Sequence, residues 1–463
     1  MAKVTKIFRC SECSATFPKW QGQCTTCKEW NTLEEVAATA SPSAVATHVA
    51  RSGYAGAATG VSVEPVRLSD VKSSAYQRIS TGFSEFDRLM GGGVVTASVN
   101  FLSGEPGAGK STLLLQLCDH TSRHGLRVLY ASGEESLEQI SMRAERLGIK
   151  CSENLLLVSE TCVESIIDLV AKYRIDILIV DSLQTGFTPT VESVPGGMTQ
   201  LVAVASLINA MSKSKGVTSF LVGHVSKDGD VAGPKKISHI VDATIMLEAQ
   251  DDGRFRVMRT SKNRFAATDS AFFAMTESGM RDVKNPSSLF LEKKDKDYEG
   301  CAISVIRDGT RSLLVEIQSL IAEAQVPDNP KRVCIGLDQK RMSLILAVIS
   351  SRLNLRTGSK DIYLSIVGGL KAMDTSTDLA MAISIMSNMS GKAVSGKIAS
   401  FGEIGLLGEI RAVSNGLERV KEAEKLGFEM IIIPERNKTK ELDSLKIKIM
   451  TVKHLSEVAK FIG

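Results

Sequence analysis

The chain has 463 residues, of which 43% are hydrophobic and 23% charged, a balance that excludes wholesale disorder and a fibrous protein. Its formal net charge is only +4, so nucleic-acid binding would need a local basic surface. The sequence has no run of 18 apolar residues and no apolar segment near its start, which predicts a cytoplasmic protein without a membrane span or secretory signal.

The first predicted unit, residues 1–35, is a small cysteine-rich module. Its cysteines form two Cys-x2-Cys pairs, Cys10 with Cys13 and Cys24 with Cys27. Two such turns supply the tetrahedral thiolate set that Zn²⁺ takes in structural sites. So short a unit cannot build much of a core, and zinc would supply the folding energy. We predict a structural rather than a catalytic zinc, because four thiolates leave no open position.

The following segment, residues 36–65, is rich in Ala, Ser, Thr, Val and Gly and reads as a flexible linker. From about residue 66, apolar runs alternate with amphipathic stretches, which predicts βαβ units and a mainly parallel sheet. The predicted strands are 99–103, 127–132, 155–159, 176–180 and 217–222, and the predicted helices are 112–124, 137–147, 163–173 and 199–215.

Beyond Val241 the pattern changes to shorter strands, predicted at 243–248, 254–259 and 271–275. The charged run Glu292–Glu299 indicates a boundary. We therefore predict one domain over residues 66–287 and a separate α+β or α/β domain over 288–463. In the latter domain, strands are predicted at 302–306, 313–317, 361–366 and 430–433, and helices at 343–353, 378–388 and 416–426.

A glycine-rich turn follows the first predicted strand of the domain 66–287 and opens its first predicted helix. This turn fits the phosphate-binding pattern GxxxxGK[ST] in the context that the pattern requires. Its backbone amides would hold the phosphates of ATP, Lys110 would reach the β- and γ-phosphates, and Ser111 would bind Mg²⁺. The predicted nucleotide-binding residues are Gly104, Glu105, Pro106, Gly107, Ala108, Gly109, Lys110, Ser111 and Thr112.

Acidic residues follow two later strands. The buried run 176–180 ends at Asp181, which is predicted to act on Mg²⁺ as a Walker B residue. Glu134 and Glu135 follow the strand 127–132, and one of them could orient the attacking water; we favour Glu134, although acids at a helix start also suit the helix dipole. His224 ends another strand, where it could sense the γ-phosphate or simply occupy a turn.

A local basic cluster lies farther along the chain. It comprises Arg254, Arg256, Arg259, Lys262 and Arg264. Lys262 and Arg264 could complete a neighbouring subunit's site or contact DNA phosphates, whereas the other arginines are expected on a solvated strand face. The glycine-containing basic loop 226–236 could bind a DNA strand in a central channel, or it could be an ordinary solvent-exposed loop.

Taken in order, several motifs make the chain resemble one family, the bacterial RadA (Sms) recombination and repair ATPases. The motifs are Lys19-Trp20, Trp30–Thr32, Ser80–Phe83, Glu85–Arg88, Gly91–Gly93, Ser132–Ser136, His224-Val225, Ala232–Pro234, His239–Asp242 and Lys262–Phe265. The resemblance implies a RecA-like ATPase in a ring, expected to be a hexamer. It implies a motor on single-stranded DNA that extends branched recombination intermediates alongside RecA.

Within that resemblance, one motif supports DNA binding and motor function. It corresponds here to Lys262, Asn263, Arg264, Phe265 and Ala266, with alanine where the family has glycine. The predicted catalytic residues are thus Lys110, Glu134 and Asp181, assigned from their motifs above, together with Arg264 of this motif.

The C-terminal domain resembles the Lon protease domain, with Gly402–Glu409 as a strand–turn element. Lon hydrolysis uses a serine activated by a lysine base. Ser376 falls near the nucleophile position, Leu417 falls where the lysine should be, and Lys421 is one helical turn away. The fold class predicted is thus α/β: a RecA-like P-loop ATPase core with an N-terminal zinc-ribbon module and an inactive, Lon-protease-like scaffold.

Two other functions compete with the DNA motor. The first is an ATP-dependent peptidase, which the missing lysine opposes. The second is a non-motor switch ring like the clock ATPase KaiC, which shares the Gly91–Gly93 and P-loop stretch. The zinc module and the motif Lys262–Phe265 oppose this second reading.

Overall fold

The computed structural model describes residues 6–11, 16–17, 20–37, 67, 77–150, 152–224, 232–250, 253–291, 296–326, 329–368 and 370–462. The proposed linker therefore lies outside the described residues except for positions 36 and 37. No helix in these ranges is both long enough and apolar enough to cross a membrane.

The N-terminal module is a small antiparallel sheet. Its central strand β1 (Lys6–Cys10) pairs with β2 (Thr16–Phe17) on one side and with β3 (Leu33–Ala37) on the other. Its buried cluster consists of Cys10, Cys24 and Leu33. With so few apolar side chains, the module depends on its cysteines for stability.

The ATPase domain alternates strands and helices as the sequence predicts. Its elements are β4 (Arg78–Ile79), α1 (Ser84–Leu89), β5 (Val94–Val95), β6 (Val99–Gly104), α2 (Lys110–Arg123), β7 (Val128–Ser132), α3 (Leu137–Arg146), β8 (Leu155–Ser159), α4 (Val163–Tyr173), β9 (Ile177–Asp181), α5 (Met198–Lys215), β10 (Thr218–His224), α6 (Ala232–Ile240), β11 (Ala243–Ala249), β12 (Phe255–Asn263), β13 (Ser270–Thr276) and β14 (Gly279–Asp282).

Over the described residues, nine of these strands form one sheet in the order β14-β13-β12-β11-β6-β10-β9-β7-β8, and β4 pairs with β5 as a separate hairpin. The strands from β11 to β8 in that order pair in parallel, and β12, β13 and β14 extend the sheet by antiparallel pairing. The central strand β9 is buried along its whole length. Ile177 and Ile179 enter the core on one face of the sheet, and Leu178 and Val180 enter the core on the other. This is the pattern of a parallel strand covered by helices on both sides.

One element differs from the sequence prediction. Helix α6 begins at Ala232, so the second half of the predicted basic loop 226–236 is helical. Pro234 lies in the first turn of this helix, where a missing amide proton removes no intrahelical hydrogen bond. Residues 225–231 lie outside the described residues.

The C-terminal domain is built on a mixed sheet. Its elements are α7 (Ser287–Phe290), β15 (Cys301–Asp308), β16 (Arg311–Glu323), β17 (Arg332–Ile335), α8 (Gln339–Leu353), β18 (Lys360–Ile366), a 3-10 turn (Thr375–Thr377), α9 (Asp378–Ser390), β19 (Ile398–Ser400), β20 (Glu403–Ile404), β21 (Ile410–Arg411), α10 (Gly416–Lys425), β22 (Met430–Pro434), two 3-10 turns (Glu435–Asn437 and Lys440–Ser444), β23 (Lys448–Val452) and α11 (Leu455–Ile462). The described strands give the order β17-β18-β16-β15-β19-β22-β23, and β20 pairs with β21 as a separate hairpin. Helix α9 is buried over most of its surface at the centre of the domain.

The turn between β15 and β16 joins the C-terminal domain to the ATPase domain. Arg311 donates two hydrogen bonds to Glu85 of α1, at 2.8 and 2.6 Å. The Thr310 amide donates to Asp269 at 2.9 Å. Burial alone would raise the pKa of Asp269, but hydrogen bonds from Thr310 and Ser270 and the charge of Arg88 lower it overall. The buried carboxylates of Glu85 and Asp269 in the ATPase domain therefore accept hydrogen bonds from the C-terminal domain.

Candidate functional site

The predicted nucleotide site lies at one edge of the ATPase sheet. Gly104 at the end of β6 is the register partner of His224 on β10, and Ser132 on β7 is the partner of Asp181 on β9. The carboxyl ends of parallel strands share an edge, and doubly wound sheets bind ligands in the crevice outside it. The structure therefore brings the P-loop, Glu134, Asp181 and His224 to one place.

The P-loop wraps the start of α2. All nine residues predicted to bind nucleotide lie in this loop and the first helical turn. Gly109 has a φ of +101°, and a Cβ at this position would lie 2.5 Å from Met275 Cε and 2.9 Å from Met280 Cε. The backbone conformation favours glycine here, whereas the two methionine methyl groups are the ends of flexible side chains and could move. A helix start leaves amides without intrahelical partners, and phosphate oxygens accept from such amides, so the loop fits ATP.

The ammonium group of Lys110 is buried against its own loop. Its Nζ donates to the carbonyl oxygens of Gly104 at 2.8 Å and Glu105 at 3.0 Å, and it lies 3.3 Å from His224 Nδ1. Burial lowers the pKa of Lys110, and the charges of Asp181 and Glu134 partly oppose this effect. The three donors of the ammonium group are thus matched by three acceptors of the protein.

Of the two adjacent acids, Glu134 is the one that faces the P-loop. His224 Nε2 lies 3.1 Å from Glu134 Oε1 and 3.2 Å from Oε2, and Ser182 Oγ donates to Oε1. Glu135 instead pairs with Arg143 of α3. Ser182 was not predicted, although it directly follows the Walker B strand.

Asp181 is 6% exposed and is oriented by a residue that the sequence did not single out. The hydroxyl of Tyr130 on β7 donates to Asp181 Oδ2 at 2.5 Å. Burial, followed by the charge of Asp181, raises the pKa of Tyr130 well above its usual value, so the phenol remains a donor. Asp181 and Ser111 offer a carboxylate and a hydroxyl, the oxygen ligands that Mg²⁺ prefers, and the pair fits that ion.

The predicted basic cluster divides into residues with different roles. Arg256 is buried, and its Nε donates to the P-loop carbonyl of Ala108 at 2.8 Å. Arg259 lies 2.5 Å from Asp308 and 3.6 Å from Glu248. The expectation of a solvated strand face was therefore wrong for these two arginines, because one supports the P-loop and the other binds the C-terminal domain.

The motif residues Lys262–Ala266 lie at the opposite edge of the sheet from the P-loop of the same chain. Asn263 pairs with Ala243, and Ala243 pairs with Asn100, near the start of β6. The P-loop begins four residues later, at Gly104, which corresponds to about 13 Å along a strand. Arg264 therefore does not belong to the nucleotide site of its own chain.

The two cations of this motif are held differently. Lys262 Nζ donates to the carbonyl oxygens of Ser238 and Val241, the latter at 2.8 Å, and burial lowers the pKa of Lys262. Arg264 is 53% exposed in its side chain and lies 3.3 Å from Asp242 Oδ1. Lys262 stabilises the local backbone, whereas Arg264 is available at the surface.

Alanine fits the fifth position of the motif without strain. Ala266 is not among the residues with positive φ, so glycine is not required there. The motif packs on the turn Gly91–Gly93: a Cβ at Gly91 would lie 2.7 Å from Ala266 Cβ, and Arg78 Nη2 donates to the Phe265 carbonyl at 3.2 Å.

Three of the four predicted zinc ligands converge in the N-terminal module. The Sγ atoms of Cys10, Cys24 and Cys27 all lie within 4.8 Å of one another, and those of Cys10 and Cys27 are 3.6 Å apart. Tetrahedral Zn–S bonds of about 2.3 Å place two sulfurs about 3.8 Å apart, so this spacing fits zinc. Cys13, the predicted fourth ligand, lies outside the described residues.

Ser376, near the predicted nucleophile position of the C-terminal domain, is buried between an acid and an arginine. Its Oγ donates to Asp374 and accepts from Arg419 Nη1 at 3.0 Å. Leu417 packs in an apolar cluster, and Lys421 is exposed. The cation beside Ser376 is an arginine, which keeps its proton and cannot act as a general base.

Arg419, which the sequence analysis missed, is 1% exposed. It also donates to the carbonyl oxygens of Val305 and Ser414, the latter at 3.1 Å, and its guanidinium lies 5.6 Å from the centre of the Phe401 ring. Burial lowers the pKa of Arg419. This side chain therefore occupies the space beside Ser376 and binds it directly.

Family models match three segments of the chain. Residues 8–35 match a rubredoxin metal binding domain, residues 63–230 an AAA domain, and residues 340–437 the subunit ChlI of Mg-chelatase. These matches confirm the predicted fold class. Among solved structures, a KaiC-like protein from Pyrococcus horikoshii OT3 has 18% identity and a TM-score of 0.39, and it covers 45% of this chain and 99% of its own; so low a score carries no argument.

Curated relatives match over nearly the full length. The DNA repair protein RadA of Escherichia coli (strain K12) is 43% identical over 460 residues, which cover 99% of this chain and 98% of the relative. The protein of the same name from Haemophilus influenzae is 42% identical and covers 99% and 98%. That from Bacillus subtilis (strain 168) is 39% identical and covers 94% and 94%. The chain belongs to the family of the bacterial DNA repair protein RadA.

Proposed function

We propose that this RadA-family chain is an ATP-driven motor on single-stranded DNA that extends branched recombination intermediates together with RecA, in the cytoplasm, where bacterial chromosomal DNA lies. The observation that carries the proposal is the position of Arg264, exposed and at the sheet edge opposite its own P-loop. Besides its 3.3 Å contact with Asp242, such an exposed cation can bind a neighbouring subunit's nucleotide or a DNA phosphate.

The proposed chemistry uses the residues at the carboxyl edge of the sheet. Lys110 would hold the β- and γ-phosphates, and Ser111 and Asp181 would hold Mg²⁺. Glu134 would accept a proton from the attacking water, since its carboxylate is the one oriented toward the P-loop. Arg264 from the neighbouring subunit would stabilise the charge that develops on the γ-phosphate.

A head-to-tail ring explains why the P-loop and the motif Lys262–Ala266 lie at opposite edges of the sheet. In such a ring, the P-loop edge of one subunit faces a different surface of the next. We propose a homo-hexamer in which Lys262–Ala266 of one subunit meets the P-loop of its neighbour or lines the DNA channel.

The other domains complete the proposal. The module of residues 1–35 would hold Zn²⁺ through Cys10, Cys13, Cys24 and Cys27, and 36–65 would link it to the ATPase domain, 66–287. Residues 288–463 would act as a scaffold rather than a peptidase. The arginine beside Ser376 supports this last assignment, because it offers no base to activate the hydroxyl.

The test is the ATPase rate of the full chain with and without single-stranded DNA. We expect clear stimulation by DNA, which Lys110→Ala abolishes. A rate that is indifferent to DNA would instead favour a nucleotide-dependent switch ring. ATP-dependent cleavage of an unfolded protein that is lost in Ser376→Ala would favour the peptidase.

A further inference from the structure

The side chain of His224 joins the phosphate-binding lysine to the proposed general base. Its Nδ1 lies 3.3 Å from Lys110 Nζ, and its Nε2 lies within 3.2 Å of both oxygens of Glu134. These three side chains therefore form a continuous polar chain from the P-loop to the loop after β7.

The lysine fixes the direction of each hydrogen bond in this chain. A protonated lysine donates only, so Nδ1 of His224 is the acceptor. A neutral imidazole that accepts at Nδ1 carries its proton on Nε2, and this N–H then donates to the carboxylate of Glu134.

Nucleotide binding must change this arrangement. All three donors of Lys110 are engaged, with Gly104 O, Glu105 O and His224 Nδ1. The lysine cannot bind the β- and γ-phosphates without giving up some of these partners. When it leaves Nδ1, His224 loses the contact that fixes its ring. The carboxylate of Glu134 then keeps its hydrogen bond from Ser182 but is no longer held in place by a fixed imidazole.

We propose that His224 is the positioning residue that couples the occupancy of Lys110 to the orientation of Glu134. This inference rests on the proposed function, since it takes Glu134 as the base. The contact is not a major folding element, because the side chains of His224 and Glu134 are 32% and 36% exposed. Its effect should therefore appear in turnover rather than in stability.

The test compares two substitutions in the full-length protein. His224→Phe removes both hydrogen bonds, and we expect kcat to fall by about tenfold or more, the typical contribution of an oriented catalytic base being about 10²–10⁴-fold. The Kd of a non-hydrolysable ATP analogue should change by no more than about threefold, since the nucleotide replaces His224 as the partner of Lys110. His224→Gln supplies a carbonyl acceptor and an amide donor and should recover most of the lost kcat. His124→Gln, at an exposed histidine beyond the end of α2, is the matched control.

A double-mutant cycle separates coupling from an independent role. In the Glu134→Gln background, the added His224→Phe should change the residual rate by less than about twofold, because residues that act as one unit are not additive. Full additivity would overturn the coupling, as would a normal kcat in His224→Phe or equal losses in the Phe and Gln variants. Normal hydrolysis by Glu134→Gln alone would instead refute the proposed base.

Discussion

Replacing Arg419 by methionine should destabilise the C-terminal domain far more than removing the hydroxyl of its neighbour Ser376. The substitution keeps much of the side-chain volume but removes every donor. The buried Val305 carbonyl and the buried Ser376 Oγ then each lose the hydrogen bond that Arg419 donates, while Ser376 Oγ keeps its own bond to Asp374. The Ser414 carbonyl belongs to an exposed residue and can bind water instead.

The magnitude follows from the hydrogen bonds that are lost. The unpaired Val305 carbonyl costs about 1–3 kcal/mol, and the lost hydrogen bond from a charged donor to Ser376 costs about 1.5–3 kcal/mol, which gives about 3 kcal/mol in all after some gain from the apolar side chain. The ion pair with Asp374, at 3.7 Å and 44% exposed on the acid, adds little. For a domain of this size, about 3 kcal/mol lowers the melting temperature by about 6–12 °C. Ser376→Ala should cost only about 1 kcal/mol.

Calorimetry of the full-length protein measures these shifts, and hydrogen exchange of the peptides spanning 398–434 assigns the transition to the C-terminal domain. A melting temperature for Arg419→Met within about 1 °C of that of the unsubstituted protein would refute the reasoning. Even one unpaired buried acceptor costs about 1 kcal/mol or more, which should lower the melting temperature by at least about 2 °C. Equal losses in Arg419→Met and Ser376→Ala would also refute it.

The remaining predictions concern the metal, the nucleotide and Arg264. Purified protein should contain about one zinc per chain, and Cys24→Ala should release it without unfolding the ATPase domain, as metal analysis and circular dichroism can check. Lys110→Ala should lower kcat by about 10²-fold or more through lost charge stabilisation, measured as phosphate release; a near-normal rate would contradict its role. Arg264→Ala should retain nucleotide binding but lose DNA-stimulated turnover, and mixing it with Lys110→Ala chains should restore some hydrolysis if Arg264 acts on a neighbour. If Arg264 instead contacts DNA, its loss should flatten the salt dependence of binding by about one counterion.

The sequence predicted those parts of the fold that depend on local pattern. Strands such as β9 are short runs that are apolar up to their last residue. The P-loop, Asp181 and Glu134 follow from the rule that parallel strands end at one edge. The buried arginines could not be predicted in the same way. Arg256 binds a carbonyl 148 residues away, and Arg419 binds one 114 residues away, so no local pattern distinguishes them from exposed arginines.

The distance of Lys262–Ala266 from the P-loop could not be predicted without knowing which strands pair with each other. Lys262–Ala266 lies far from the P-loop of its own chain because β11 pairs in parallel with β6 and β12 runs back beside it. The hydrogen bond between His224 and Lys110 likewise depends on β10 lying beside β6, a neighbour relation between strands more than 100 residues apart in the chain.

The ionic contacts between the two large domains determine how the chain can be divided. Glu85 is 4% exposed and Asp269 6%, yet Arg311 and Thr310, which bind them, lie beyond residue 287. A truncated ATPase fragment that ends near residue 287 would leave these carboxylates without part of their compensation, although the sequence of the fragment would be intact. Its instability would then be mistaken for a loss of catalytic function. The activity of the ATPase domain therefore needs to be measured in the full-length chain.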